Sequence, residues 1–299
     1  TFGSGDSDSL IYDPNTGRMI QFQTSINGSS MTGVPTWNPN GSLQQLAISD
    51  ALFTGNTQTC HYVHDPLGRL YTADCGAAHW GQTFNYDPFG NISISNYGSD
   101  PGGTFMPTYN AATNRYLSLP SGSPTYDANG NLTYDVGHYY SWDAEGNLVN
   151  RDSGTMTLTY DALGRQVTQV KGGANYEIIY NVNGSKLAIL HSYLSLSLRL
   201  PLPGGASAVY GWSGLSYYRH PDWLGSSRVV STPSRTLYLD SSYAPFGEGY
   251  GVSGTLDSAD LSFTGFDRDV AADQWTSPTR QLAVVTGRWT SPDRAGLSV

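Results

Sequence analysis

The residues able to do chemistry in this 299-residue chain are its carboxylates, two cysteines and six histidines. Glutamate occurs only at Glu145, Glu177 and Glu248, so acid–base work would fall to aspartate. Two such carboxyls, brought close enough to share one proton, would act as an acid and a base. The histidines (61, 64, 79, 138, 191 and 220) show no His-x-x-x-His or His-Glu-x-x-His spacing, and two cysteines are too few for a zinc set. No Gly-x-Ser-x-Gly nucleophile turn is present. No metal or other cofactor is therefore expected.

Many of the aspartates belong to one recurring unit: an aromatic, Asp or Asn, two or three small residues, Gly, a polar residue, then an apolar one. Tyr12-Asp13-Pro14-Asn15-Thr16-Gly17-Arg18-Met19 is the first copy, followed by Trp37-Asn38, His64-Asp65, Tyr86-Asp87 and a degenerate copy at Tyr109-Asn110. Tyr126-Asp127, Trp142-Asp143, Tyr160-Asp161 and Tyr180-Asn181 complete the series. The Asp/Asn positions 13, 38, 65, 87, 110, 127, 143, 161 and 181 are spaced 16 to 27 residues apart. That spacing fits two strands with two turns and is too short for a βαβ unit, which needs roughly 30 residues. Asp opens such a turn by accepting backbone N–H groups two residues on, and Gly supplies the positive φ. Asp13, Asp65, Asp87, Asp127, Asp143 and Asp161 are accordingly read as structural turn-formers, not catalysts.

Those turns require flanking strands. Leu158-Thr159-Tyr160 enters one, and Gln166-Val167-Thr168-Gln169-Val170 leaves it with a period of two. Each unit reads as a β-hairpin. A single hairpin is barely stable, so neighbours must stack. Aromatics make up 12% of the chain and charged residues 13%, which argues against disorder. The fold class is all-β: tandem antiparallel hairpins forming a spiralling sheet, a shell or a tube segment. The sequence divides into a hairpin array over 1–190 and a different C-terminal region over 191–299. The net charge of −9 disfavours nucleic acid as a partner. The apolar run near Leu187–Leu202 is too short and too interrupted to span a bilayer. The sequence starts Thr1-Phe2-Gly3, neither a start methionine nor a signal peptide, so the chain is expected to derive from something longer.

Cys60 and Cys75 lie symmetrically about the turn Asp65-Pro66-Leu67-Gly68-Arg69, which places them opposite each other on antiparallel strands. A cross-strand disulfide is expected, with two reduced, buried thiols as the alternative. A disulfide would place the chain in an extracellular, cell-surface or periplasmic setting.

The repeats resemble the YD repeats of RHS (rearrangement-hotspot) proteins, Tc-toxin C components and teneurins, over nearly the whole chain. Four C-terminal segments carry the resemblance further. Arg219-His220-Pro221-Asp222-Trp223-Leu224-Gly225-Ser226-Ser227-Arg228 resembles the family's His-x-Asp-x-Leu-Gly-Ser-x-Arg stretch, and Tyr243-Ala244-Pro245-Phe246-Gly247-Glu248 the Tyr-x-Pro-Phe-Gly-Glu after it. Phe263-Thr264-Gly265-Phe266-Asp267-Arg268-Asp269 and Gly287-Arg288-Trp289-Thr290-Ser291-Pro292-Asp293 are similar to the opening and close of the RHS-associated core. The resemblance implies a core that closes a β-shell and, in several members, an aspartyl autoprotease that releases a C-terminal toxin. Asp293 then matches the closing aspartate, with Asp267, Asp269 or Asp273 as its partner. Here the proline after that aspartate is replaced by Arg294, and the Ala-Arg-Tyr-Tyr segment reads Thr279-Arg280-Gln281-Leu282. A structural closure is therefore expected in place of an active protease.

The leading functional expectation is a wall or shell segment that encloses a passenger, associating with other copies of itself or with the rest of a larger RHS polypeptide. About nine repeats are too few to close a large cavity, so self-assembly into a filament is a corollary. A second reading is an adhesin surface in which Trp80, Trp212, Trp223 or Trp275 stacks on glycans or a partner protein.

Overall fold

The structure is a computed structural model, and it describes residues 1–98, 103–192, 195–254, 262–269, 274–277, 279–284 and 286–292. Among these residues it contains β-strands, turns and three short 3₁₀ segments, and no helix long and apolar enough to cross a membrane. The motif change near residue 190 is a boundary of sequence pattern. In space the chain forms two units: one from Thr1–Phe105, Pro201–Ala208 and Ser216–Gly265, the other from Met106–Leu200, Val209–Leu215 and Phe266–Val299.

The first unit opens with eight strands: β1 (Ser7–Tyr12), β2 (Met19–Ile26), β3 (Ser29–Trp37), β4 (Leu43–Asp50), β5 (Gln58–His64), β6 (Leu70–Asp74), β7 (Trp80–Tyr86) and β8 (Ile92–Gly98). They pair antiparallel in chain order, as consecutive hairpins must when each turn is short. Alternation sets the buried face: every second residue of the latter half of β2 (Phe22, Thr24, Ile26) points inward. Phe22, Ile26, Met31 and Ile48 form the core with Val229 of the strand Ser227–Ser231. Phe22 lies directly across from Gly33, and its ring occupies the space a side chain there would need; a Cβ on Gly33 would sit 2.1 Å from the ring. The strand Ser227–Ser231 is buried at every position and pairs with Leu237–Tyr243, which pairs in turn with Gly249–Gly254.

The second unit repeats the hairpin scheme. Tyr140–Trp142, Leu148–Arg151, Met156–Tyr160, Gln166–Lys171, Ala174–Tyr180, Lys186–His191 and Ser195–Pro201 pair successively antiparallel. Their core gathers Leu132, Tyr140, Leu148, Met156 and Leu158. The C-terminal strands Phe266–Asp269, Gln274–Thr276, Gln281–Ala283 and Arg288–Trp289 form their own antiparallel ladder. They fasten to the hairpins through Gln274 Nε2, which donates to the Tyr140 hydroxyl at 3.1 Å, and through the Leu132 N–H donating to Thr290 O.

One irregularity recurs in both units. The register slips by one residue at the repeat aromatic, between Thr36 and Trp37, Val63 and His64, Ser141 and Trp142, Thr159 and Tyr160, and Ile179 and Tyr180. Each slip is a bulge that bends its strand and adds local right-handed twist.

Candidate functional site

The repeat turns share one hydrogen-bond scheme. Asp65 Oδ1 accepts the backbone N–H groups of Leu67 and Arg69, both at 2.9 Å, while Oδ2 takes the Arg69 guanidinium at 2.7 Å. Asp161 holds Leu163 and Arg165 in the same way. In the turns of Asp87, Asp127 and Asp143 the partner is an asparagine (Asn91, Asn131 and Asn147), whose amide reaches the second oxygen. Asp13 accepts from the Asn15 and Thr16 backbone and has no arginine or asparagine bonded to its second oxygen among the described residues. The glycine of each turn is conformational, not steric: Gly68 and Gly164 have φ of +79° and +73°, and Gly68 faces open space. The six aspartates are thus consumed in local bonding. The Asn91 amide foremost holds the Asp87 carboxyl below its ordinary range, and the Arg165 backbone N–H does the same for Asp161.

The aromatic that precedes each Asp does something the repeat pattern alone does not disclose. In five repeats its polar tip donates to a backbone carbonyl of the preceding hairpin, just past that hairpin's turn, whereas the Tyr126 hydroxyl accepts the Tyr116 N–H. Tyr86 Oη reaches Leu70 O at 2.7 Å, Tyr160 reaches Leu148 O at 2.8 Å and Tyr180 reaches Gln166 O at 2.8 Å. Trp37 and Trp142 do the same with Nε1, to Met19 O and Leu132 O, each at 2.7 Å. The turn arginine of the preceding unit lies over the same ring: Arg69 over Tyr86 at 4.3 Å and Arg165 over Tyr180 at 4.8 Å from the centroid. The YD unit is therefore a clasp between neighbouring repeats as well as a turn. The bonded carbonyls are at the start of an exit strand, beside the bulge.

Of the C-terminal aspartates, Asp267 is held between two cations, Lys186 Nζ at 2.5 Å and Arg199 Nη1 at 2.7 Å. This bond set fixes the first C-terminal strand to the hairpin array of its unit. The Asp269 backbone pairs with Gln274. Asp293, like Asp273, lies outside the described residues. Among the proposed aromatic platforms, Trp80 and Trp275 are 1% and 0% exposed and belong to the core, while Trp212 is 59% exposed and Trp223 packs edge-on against Trp37.

Cys60 and Cys75 are joined by a disulfide. The register that pairs His61 with Asp74 puts them directly opposite, as the symmetric placement about the turn requires. The unreduced protein is expected to show no titratable thiol. Reduction should lower stability by about 3 kcal/mol, the loop-entropy value for a closure of this size. Two titratable thiols in native, unreduced protein would rule the bond out.

Sequence reasoning missed a buried polar centre in the first unit. Arg228 Nη1 lies 2.6 Å from Asp240 Oδ1 and also donates to Ser241 O, while Nη2 lies 3.2 Å from Asp50 Oδ2. Asn56 Nδ2 adds a bond to Asp240 Oδ1 and one to Gly251 O, both at 2.7 Å. Asp50 Oδ1 in turn accepts the Leu52 and Phe53 N–H groups. Both aspartate side chains are wholly buried. Burial foremost, then the neighbouring Asp50, pushes the Asp240 carboxyl up, against the pull of Arg228. A second buried chain links β1 to the later strands: His220 Nδ1 contacts Asp8 Oδ1 at 2.8 Å and Nε2 contacts Ser231 Oγ at 2.9 Å. The order resembles a nucleophile relay, but His220 and Ser231 are 0% exposed, so no substrate reaches them and the chain acts as a cross-tie. Among the described residues no group of three or more His, Cys, Asp or Glu could hold a metal ion. The only available signal was negative: Asp50 and Asp240 stand outside the repeat motif.

These groups give the pH dependence of stability a definite sign. Burial pushes Asp222 up to about 6, so its contribution is complete below the ordinary 3.8 and is lost as pH rises through 6. Asp13, Asp65, Asp87 and Asp161 are lowered, so theirs is present above the ordinary range and is lost at more acid pH. Denaturant midpoints are expected to rise from pH 8 to a maximum near about pH 5 and to fall below about pH 4. A midpoint that climbs steadily from pH 5 to pH 8 would contradict this balance.

Comparison with known proteins matches this architecture. Chicken teneurin-1 (Gallus gallus) is 26% identical over 243 residues, covering 78% of this chain and 9% of its own length. Mouse teneurin-3 (Mus musculus) is 25% identical over 288 residues, covering 93% of this chain and 10% of its own. Among solved structures, the TcdB2-TccC3-Cdc42 crystal structure superposes with a TM-score of 0.79 at 17% identity, over 99% of this chain and 17% of that one. The Photorhabdus luminescens Tc holotoxin pore gives 0.77 at 16% identity, over 98% of this chain and 17% of its own. The chain thus spans about a tenth of the teneurins and about a sixth of the toxin chains. A family model, the Teneurin YD-shell, runs through the hairpin ladder and the C-terminal strands alike from residue 38 to 298, and this chain belongs to that YD-repeat family.

Proposed function

We infer that the chain is a stretch of shell wall that surrounds a passenger, completed by the rest of a longer RHS-type polypeptide or by further copies of itself, in an extracellular setting. The observation that carries this reading is the clasp between repeats. It needs no ligand and no catalytic group, and in five repeats it fastens a hairpin to the one before it, which is what a wall requires. The YD-shell fold supports it, as does the Cys60–Cys75 bond, which fits an oxidising compartment. β1 pairs only with β2 among the described strands, leaving an edge to which a preceding repeat or another copy can add.

The test is sedimentation of the purified chain from about 1 to about 100 µM, with electron microscopy of the heaviest species, since specific contacts of this kind associate over such a range. Concentration-dependent assembly into curved or tubular walls is expected. A compact monomer throughout would remove self-assembly, and a longer precursor that then shows no enclosed volume would sink the wall reading. In this role the C-terminal strands close the wall, and Asp267 serves as the acceptor of Lys186 and Arg199 instead of an acid or base. A precursor carrying Asp293→Asn is expected to have the same intact mass as the wild type. Splitting of the wild type alone would establish aspartyl autoproteolysis and a toxin-releasing function.

A further inference from the structure

The first unit contains a cavity of about 200 Å³ between the inner face of β2–β6 and the segment that follows His220. Its wall includes the rings of Phe22, Tyr62, Trp223, Tyr243, Tyr250 and Phe263. It also includes the Asp222 carboxyl, the Arg228 guanidinium and His64. We propose that this cavity is a binding site for a small organic ammonium ion, with the charged nitrogen at Asp222 and the apolar body among the aromatic rings.

The argument begins with Asp222, which opens the turn Asp222-Trp223-Leu224-Gly225-Ser226 on the repeat scheme. Its Oδ1 accepts the Leu224 N–H at 2.9 Å and the Ser226 N–H at 2.8 Å, as Asp65 and Asp161 accept theirs. The difference from these two lies four residues on, where the turns of Asp87, Asp127 and Asp143 also have a neutral partner, an asparagine. Asp65 and Asp161 have Arg69 and Arg165 there to neutralise the second oxygen. Asp222 has Ser226, which offers a hydroxyl and no charge. Asp222 also lines an aromatic cavity.

The cation nearest to it is already committed. Arg228 lies in the same wall, but its guanidinium is bonded to Asp240, Asp50 and Ser241 O. That guanidinium therefore serves two carboxyl groups before Asp222, and the other nearby cation, Arg219, acts on Tyr243. The lining phenols carry no charge at neutral pH: burial pushes Tyr62, Tyr243 and Tyr250 up. His64 adds an independent observation. Its Nδ1 is buried and has no hydrogen-bond partner, and the residue lines the cavity wall. Aromatic faces attract cations most strongly where water is excluded. An ammonium would supply a positive charge for Asp222 and an apolar body for the rings. A carboxylate or phosphate would meet the excess of carboxyls. Leu224, on the same turn, is 42% exposed, so the site borders solvent.

The test is calorimetric titration of the chain at pH 7.5 with three probes on one phenethyl skeleton: phenethylammonium, the neutral 2-phenylethanol and the anionic 3-phenylpropionate. Saturable binding of the amine is expected, at least tenfold weaker binding of the alcohol, and none of the carboxylate. Amine affinity should fall as pH is lowered through about 6, where Asp222 takes up its proton. Asp222→Asn keeps the carbonyl oxygen that accepts Leu224 and Ser226, so the turn is retained, and amine affinity should drop to that of the alcohol. The wild-type amine-to-alcohol ratio needs no variant and stands even if the substitution unfolds the chain. Equal binding of alcohol and amine, unchanged amine binding in a folded Asp222→Asn protein, or no saturable amine binding up to about 10 mM, weaker than any ordinary specific site, would overturn the proposal.

Discussion

Replacing Arg228 with methionine is expected to lower the stability of this chain by about 3–5 kcal/mol, the cost of removing one partner from a buried charge network. Methionine matches much of the volume, so the loss reports charge and hydrogen bonding more than a cavity. Without Arg228, the wholly buried Asp50 and Asp240 would face each other with only Asn56 and backbone N–H groups to oppose them. One or both must then take up a proton to remain inside. Two signatures follow. The Arg228→Met protein should regain stability on acidification far more than the wild type does, because the proton replaces the missing cation. Adding Asp240→Asn to Arg228→Met should restore more than half of the loss, since the amide can still bond and carries no charge. Urea denaturation at pH 7.5 and pH 5 measures both. A loss under about 1 kcal/mol, within the range of an ordinary exposed ion pair, would mean that the centre is hydrated and that the buried-network argument is wrong.

Trp80→Ala carries a loss of similar size for a different reason. Trp80 begins β7, is 1% exposed, and its ring meets that of Tyr250 at 5.1 Å between centroids. Truncating a buried tryptophan removes a large apolar surface and leaves a void, at a cost of about 3–5 kcal/mol. Trp212→Ala is the control: that ring is 59% exposed, and its removal should change stability by less than about 0.5 kcal/mol. The pair also separates packing from recognition. If a glycan array detects binding by the wild type, Trp212→Ala should abolish it with the fold intact. If the two substitutions cost the same stability, the division between core and surface aromatics drawn above fails.

Much of the architecture was legible in the residues because the repeat unit is a local device. Asp65, Pro66, Gly68 and Arg69 specify a turn within five residues, and the alternation around it specifies two strands, so the hairpins and their antiparallel order follow from short-range chemistry. The opposition of Cys60 and Cys75 was legible for the same reason, since one turn fixes the register of its own two strands. What lay beyond one hairpin was not legible. No spacing rule connects Asp50 to Arg228, Asp8 to His220 or Lys186 to Asp267; only packing of distant segments joins them. Trp80 and Trp212 have the same composition signature and opposite surroundings, because exposure depends on which face a neighbour covers.

The sequence by itself determined that the chain is a tandem array of turn-closed hairpins, that its repeat aspartates serve those turns, and that its C-terminal segments are of the RHS type. Each of these is written in contacts a few residues long, where backbone geometry leaves few choices. The tertiary structure alone decided the rest: that the repeat aromatics reach back to the preceding hairpin's carbonyl, that Asp267 is neutralised by two cations, and that Arg228 is buried with two carboxylates beside an aromatic cavity. Those outcomes depend on long-range pairing, where burial strengthens every charge interaction and the partners are chosen by the fold and not by sequence distance.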